Sequence, residues 1–122
     1  NYKLFPFFGV NEMRMAYGAA DVIVSRAGAA NIFEIAAVGK PVIVIPLTHS
    51  ASNHQILNAE EFSKSGAIVI KEDNLTPHLL IDQIDKLLTP DNYDKISEQI
   101  KSFAMIDAAD KVADRILDVN NR

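Results

Sequence analysis

The 122-residue sequence predicts an α/β fold in which a parallel sheet of about four strands is flanked by helices. Short apolar runs alternate along the chain with segments of helical patterning, which is typical of βαβ units. Residues 22–24 and 42–45 are continuously apolar and β-branched, as expected for strands that are buried on both faces. Right-handed crossovers would then put helices on both sides of the sheet. Hydrophobic residues make up 48% of the chain, enough for the packed core of one domain.

Local patterns set the predicted limits of these elements. Residues 4–8 are an apolar run that predicts a first strand, and Pro6 favours a place at the sheet edge. Gly39, with Pro41 just beyond it, predicts the end of the second helix, and Gly66 predicts the end of the third. The predicted strands are 4–8, 22–24, 42–45 and 67–70, and the predicted helices are 12–20, 31–38, 53–65, 77–88, 93–103 and 108–119.

The last three predicted helices are amphipathic. Thr76 suits the N-cap of the first of them, and Pro77 suits its first turn. Apolar residues recur at helical spacing and charged residues fill the positions between, so we expect one face of each helix on the core. The residues predicted to face inward are Ile84, Leu87, Ile96, Ile100, Val112 and Ile116.

Composition excludes several classes of function. A net charge of −4 without a basic run argues against nucleic-acid binding, which depends on neutralising phosphates. The chain has no cysteine, so it forms neither disulfides nor thiolate metal sites. His49 and His54 lack the spacing and the acidic neighbours of a metal site, so we expect no metal and no cofactor. The longest strongly apolar run, residues 41–47, is too short to span a membrane. Because the sequence starts at Asn1 without a methionine or a leader pattern, we expect part of a longer protein.

Ligands of open parallel sheets bind beyond the carboxyl ends of the strands, so the turn after the second predicted strand is a candidate site. There Arg26 is followed by Ala27, Gly28 and Ala29 at the start of a helix. Small residues let a ligand approach the backbone, and the N–H groups of a helix start attract anions. A phosphate with Arg26 as an added positive charge is one interpretation, and a well-packed turn is the other.

Polar residues on the two following helices extend this candidate site. Glu34 lies one turn into its helix, where it could accept hydrogen bonds from ribose hydroxyls or merely complement the helix dipole. Gln55 and Asn58 are spaced to share one helical face, and their amides suit sugar hydroxyls as well as capping or surface roles. From the residues alone, the structural interpretation is favoured for all three. Tyr17 is interpreted as a packing residue.

The order and spacing of several segments resemble the MurG-type glycosyltransferases of the GT-B superfamily. The similarity runs over nearly the whole chain, but Ala27 stands where many members have serine, and Ser52 where an acid is common. Asn31 and Phe33 replace smaller or hydroxyl-bearing residues. The segments that carry the resemblance are 13–21, 24–29, 34–41, 53–59 and 63–67.

The resemblance implies a Rossmann-like fold, with residues 1–122 forming part of a C-terminal, UDP-sugar-binding GT-B domain whose acceptor-binding N-terminal domain lies outside this chain. It also implies roles for individual residues. Glu34 matches the acid that holds the ribose, and Gln55 matches the glutamine that contacts the sugar. The remaining matches are Ala27, Gly28 and Ala29 at the diphosphate, Asn58 beside the sugar, and the backbone of residues 8–10, Val10 included, at the uracil.

The implied activity is that of an inverting hexosyltransferase of peptidoglycan synthesis. It would move N-acetylglucosamine from UDP-N-acetylglucosamine to a lipid-linked muramoyl pentapeptide. The catalytic base is expected in the missing domain, so we expect the present chain alone to be inactive. The whole enzyme is expected in the cytoplasm, held peripherally at the inner face of the cell membrane through that missing domain.

Three alternatives stay open from the sequence. One is another UDP-sugar transferase, including a split enzyme that pairs with a membrane subunit. A second is an interaction module that keeps the fold without catalysis. A third is a flavodoxin-type signalling domain, which is disfavoured because residues 7–9 offer no acid at the end of the first predicted strand.

Overall fold

The computed structural model describes residues 2–48, 53–104 and 108–120 of the chain. Its sheet has three parallel strands in the order β1-β2-β3, with Ile23 opposite Val42 and Ile43 opposite Ile68. The strands are β1 (Ile23–Ser25), β2 (Val42–Val44) and β3 (Ile68–Val69). The helices are α1 (Val10–Ala19), α2 (Ala29–Val38), α3 (His54–Ser63), α4 (Pro77–Leu87), α5 (Pro90–Ser102) and α6 (Ala108–Asn120), with a short 3₁₀ helix at Glu72–Asn74.

The central strand β2 divides the core in two. Val42 and Val44 join a buried cluster that includes Ile35 of α2 and Phe62 of α3. Successive side chains of a strand point to opposite faces, so Ile43 enters a second cluster on the other side of the sheet. The second cluster contains Leu87 of α4, and the first contains Ile100 of α5. Helices therefore cover both faces, which confirms the predicted α/β arrangement.

The predicted helix limits are confirmed at the end of α2 and at the start of α4. Gly39 ends α2 in the left-handed region at φ 71°, and its N–H bonds to the carbonyl of Ile35. Gly66 is also left-handed, at φ 89°, but α3 ends at Ser63 with Lys64 as its C-cap, so Gly66 lies beyond the helix and is not the predicted cap. Thr76 caps α4 by accepting a hydrogen bond from the N–H of Leu79 at 3.2 Å.

Residues 4–8 do not form the predicted strand, so the described sheet has three strands instead of about four. Their apolar side chains stay largely in solvent, with Phe7 83% exposed. A strand needs a neighbouring backbone for its hydrogen bonds, and Pro6 also lacks a donor. The apolar character of this run was therefore misleading.

The prediction that one apolar face packs on the core is confirmed for α4 and α5 and is wrong for α6. Leu87 and Ile100 are buried, whereas Val112 and Ile116 are each 59% exposed. In the part of the chain that the structure describes, neither buried cluster includes a residue of α6. Periodicity shows that a helix has an apolar face, but it does not supply the surface that covers that face.

No helix within residues 2–48, 53–104 and 108–120 is both long enough and apolar enough to cross a membrane.

Candidate functional site

A cleft of about 550 Å³ runs between α1 and α2. This volume lies within the range of small-molecule sites, and the mixture of mainly apolar walls with a few polar groups is typical of them. The polar side chains that line it are Arg14, Tyr17 and Glu34. Residues 7–10 close the cleft at one end, Met13 adds to the α1 wall, and Ala37 and Val38 add to the α2 wall.

Helical spacing explains why these side chains meet. Val10, Met13 or Arg14, and Tyr17 follow one another at three- or four-residue steps, so they share one face of α1. On α2 the buried residues, such as Ile32 and Ile35, face the sheet. Glu34 is left at the side that faces α1, where its side chain is exposed to the cleft.

Tyr17 and Glu34 are in contact across the cleft. The Tyr17 hydroxyl donates a hydrogen bond to Glu34 Oε2 over 3.4 Å. Burial raises the pKa of the Tyr17 phenol above its usual 10.0, and the negative charge of Glu34 and this hydrogen bond raise it further. A tyrosine phenol is protonated at neutral pH and acts as a donor, and the raised pKa extends this role to more alkaline pH. A carboxylate has about four acceptor positions, so Glu34 keeps the capacity to accept hydroxyl groups from a ligand.

The turn between β1 and α2 leaves the start of a helix without a side-chain cap. Gly28 is the N-cap residue with φ −66° and ψ 138°, and its position carries no side-chain cap hydrogen bond. The first N–H groups of α2 therefore have no side-chain acceptor at the N-cap, which is the kind of helix start that can accept an anion. Ala29 is exposed at this helix start. Ala27 is 0% exposed, and its carbonyl oxygen accepts a hydrogen bond from Asn58.

The amides of α3 fasten this helix to the carboxyl ends of the strands. Asn58 Nδ2 donates to the carbonyl oxygen of Ala27 at 3.1 Å. Gln55 Oε1 accepts from the N–H of Leu47, just beyond β2, at 3.1 Å. The amide NH₂ of Gln55 forms no hydrogen bond within the described residues, so it can donate to a ligand.

Arg26 points away from the α1–α2 cleft. Its Nη2 lies 2.7 Å from Glu72 Oε1, and its Nη1 donates to the carbonyl oxygen of Ile45 at 3.4 Å. These contacts put the guanidinium across the carboxyl ends of the strands, in a depression of about 200 Å³ that Leu75 also lines.

The predicted site residues thus fall into neighbouring groups rather than one pocket. Val10 and Glu34 line the same cleft, and Asn58 is bonded to the turn that holds Gly28. No hydrogen bond joins Glu34 with Gln55 in the described part of the chain; their two helices are linked by the hydrogen bond from Asn58 of α3 to Ala27, just before α2.

Sequence reasoning missed two partners, Tyr17 for Glu34 and Glu72 for Arg26. The position of Tyr17, two helical turns after Val10, was a usable signal for the first. Residues 2–48, 53–104 and 108–120 contain no group of three or more His, Cys, Asp or Glu side chains that could hold a metal ion. His54 is exposed, and His49 and Ser52 lie outside the described residues.

Comparison with known proteins shows what this chain is similar to. Two relatives are UDP-N-acetylglucosamine–N-acetylmuramyl-(pentapeptide) pyrophosphoryl-undecaprenol N-acetylglucosamine transferases. The one from Clostridium kluyveri is 43% identical over 86% of this chain and 30% of its own length. The one from Nostoc sp. is 37% identical over 99% of this chain and 34% of its own length. The chain therefore spans about one third of the curated relatives that it matches.

A solved structure and a family model extend the comparison. The crystal structure of Acinetobacter baumannii MurG matches with a TM-score of 0.80 and 27% identity, covering 95% of this chain and 33% of that one. This match confirms the expected α/β fold and the resemblance to MurG. The family model "Glycosyltransferase family 28 C-terminal domain" matches residues 1–114. The chain therefore belongs to the glycosyltransferase family 28 C-terminal domain family.

Proposed function

We propose that this chain is the donor-binding part of a glycosyltransferase of peptidoglycan synthesis. The full enzyme would transfer N-acetylglucosamine from UDP-N-acetylglucosamine to the C4 hydroxyl of a lipid-linked muramoyl pentapeptide. One observation carries the proposal: Glu34 and residues 8–10, far apart in the sequence, line a single cleft. By the resemblance, Glu34 would bind the ribose and residues 8–10 would contact the uracil, and ribose and uracil are adjacent parts of one nucleoside.

The chemistry of the cleft suits a uridine. Phe8, Val10 and Met13 offer apolar surface to a flat base, and the backbone of residues 8–10 carries donors and acceptors for its edge. The Glu34 carboxylate can accept hydrogen bonds from two neighbouring ribose hydroxyls.

The diphosphate would lie at the start of α2. Glu34 lies five positions after Ala29, which at the helical rise is about 7.5 Å, a span that fits a ribose and its first phosphate. The uncapped N–H groups beside Gly28 favour an anion there, by roughly 0.3–1 kcal/mol per charge at an exposed site. The same groups would stabilise the departing diphosphate during transfer.

The sugar would lie toward α3. The hydrogen bond from Asn58 to Ala27 holds α3 beside the diphosphate turn, and the NH₂ of Gln55 can donate to a sugar hydroxyl or acetamido oxygen. Acceptor binding, peripheral contact with the membrane and the catalytic base belong to the part of the enzyme outside this chain. The chain alone would then bind donor without turnover.

Titration of the 122-residue chain with UDP, UDP-N-acetylglucosamine and UDP-glucose, followed by heteronuclear NMR, tests this proposal. We expect weak binding of all three, with the N-acetylglucosamine donor preferred. Glu34→Ala should weaken all three by about tenfold, as for a lost hydrogen bond to a charged group. Gln55→Ala should weaken the sugar nucleotides and leave UDP binding unchanged, because UDP carries no sugar for Gln55 to contact.

Glu98→Ala is the matched control, because Glu98 is an exposed glutamate on α5 outside the cleft. A preference for UDP-glucose would point to a different UDP-sugar transferase. Binding of none of the three ligands, in a chain that is folded by NMR, would contradict the proposal and favour the interaction module.

A further inference from the structure

The hydrogen bond between Tyr17 and Glu34 joins an anchored donor to an exposed acceptor. The Tyr17 ring packs against the main buried cluster, whereas the Glu34 side chain is exposed on the cleft wall. The two residues are 17 positions apart and belong to different helices, so only the packing of α1 on α2 brings them together. The anchored phenol therefore restricts the directions that the Glu34 carboxylate can take.

The donor to Glu34 is neutral, and this matters for the ligand. Arg14 also lines the cleft, but within the described residues it forms no ion pair with Glu34. An arginine fork would occupy both carboxylate oxygens and cancel the charge. A phenol uses one acceptor position and leaves the charge and the other positions for hydroxyl groups. A tyrosine phenol is protonated at neutral pH, so Tyr17 is a donor there.

We infer that Tyr17 is a positioning residue that holds the Glu34 carboxylate toward the ribose 2′ and 3′ hydroxyls of the bound nucleotide. This inference rests on the proposed function, because it assigns the cleft to a ribonucleotide. Ordering an exposed glutamate on binding costs conformational freedom, and a side chain held beforehand loses less. Tyr17 thereby favours ribonucleotides over nucleotides without these hydroxyls.

The 3.4 Å contact is longer than a typical O–H···O hydrogen bond, so the expected effect is modest. Tyr17→Phe removes only the hydroxyl, and we expect it to weaken UDP binding by about three- to fivefold, the effect of one hydrogen bond of average net strength. Binding of 2′,3′-dideoxy-UDP, which cannot use Glu34, should stay unchanged. In the Glu34→Ala background, Tyr17→Phe should have no further effect on UDP.

Titration of the wild-type chain, both single variants and the double variant with the two nucleotides provides the test. Tyr93→Phe is the matched control, since Tyr93 is a partly exposed tyrosine on α5 outside the cleft. Equal losses for UDP and its dideoxy analogue, or additive effects of the two substitutions, would show that Tyr17 only supports the fold and would overturn the inference alone. If the folded wild-type chain binds no UDP, the proposed function fails and the inference fails with it.

Discussion

The side-chain amide of Asn58 lies 3.1 Å from the carbonyl oxygen of Ala27, and this hydrogen bond ties the middle of α3 to the turn that begins α2. Ala27 is fully buried and directly precedes the N-cap residue Gly28. The helix that follows β2 and the turn that follows β1 are thus held as one unit. In the proposed function this unit presents the diphosphate-binding N–H groups.

Asn58→Ala should therefore lower both stability and nucleotide affinity. The lost hydrogen bond is partly buried, so we expect a decrease of about 1 kcal/mol in the free energy of unfolding. Urea unfolding measures this decrease, and titration with UDP should show weaker binding. Asn92→Ala is the control, because Asn92 Nδ2 also donates to a backbone carbonyl, that of Lys86, at 3.0 Å, but far from the cleft. It should lower stability without changing affinity, and equal affinity losses in both variants would contradict this prediction.

The raised pKa of Tyr17 predicts a pH dependence of stability at alkaline pH. The folded state keeps the phenol proton above pH 10.0, where the unfolded chain releases it. The contribution of Tyr17 to the free energy of unfolding is thus complete below pH 10.0 and is lost as the pH rises through the folded pKa. The difference in stability between the wild-type chain and Tyr17→Phe should shrink over this range.

A second measurement separates the causes of that shift. In Glu34→Gln the negative charge is gone while the burial of Tyr17 remains. The Tyr17 pKa, followed by NMR of the labelled ring, should fall but stay above the ordinary tyrosine value. An unchanged Tyr17 pKa in this variant would mean that the two side chains do not interact in solution.

Two glycines should respond in opposite directions to replacement by alanine. Gly39 is left-handed, and a Cβ there would overlap the Lys101 side chain, so we expect Gly39→Ala to cost roughly 1–2 kcal/mol or more. Gly18 lies inside α1, where a Cβ would meet nothing within 4 Å. Gly18→Ala should therefore stabilise the chain by about 0.5–1 kcal/mol.

Thermal and urea unfolding of both glycine variants measure these changes. Adding Lys101→Ala to Gly39→Ala removes the steric overlap but not the backbone strain, so it should restore only part of the loss. Full restoration would show that the left-handed backbone of Gly39 costs nothing for alanine.

The ion pair between Arg26 and Glu72 should contribute little to stability despite its 2.7 Å length. The two side chains are 45% and 36% exposed, so water and salt screen their attraction. A double-mutant cycle with Arg26→Ala and Glu72→Ala should give a coupling of about 0.2–1 kcal/mol that decreases with added salt. A larger coupling that does not depend on salt would mean that the pair is shielded from solvent.

The sequence by itself determined the features that depend only on residues close to one another along the chain. The continuously apolar run at residues 42–45 predicted the buried central strand, which the structure gives as Val42–Val44. Gly39 and Thr76 predicted helix ends because each offers a backbone or side-chain property that one particular cap position needs. The resemblance also gave the family and the fold, since it depends on the order of such segments along the chain.

The tertiary structure decided which of the predicted strands and helices pack against another part of the chain. Residues 4–8 and the apolar face of α6 have the local patterns of a strand and a core helix, but a strand needs an adjacent backbone and an apolar face needs a covering surface. The same holds for the candidate site. Glu34 could be selected from the sequence, but its contact with Tyr17 exists only because α1 packs on α2. Likewise, Arg26 pairs with Glu72, 46 positions away, only because the strand ends meet at one edge of the sheet. The type and order of the residues can be read from the sequence. Hydrogen bonds and ion pairs between residues far apart in the chain depend on distances that only the folded structure sets.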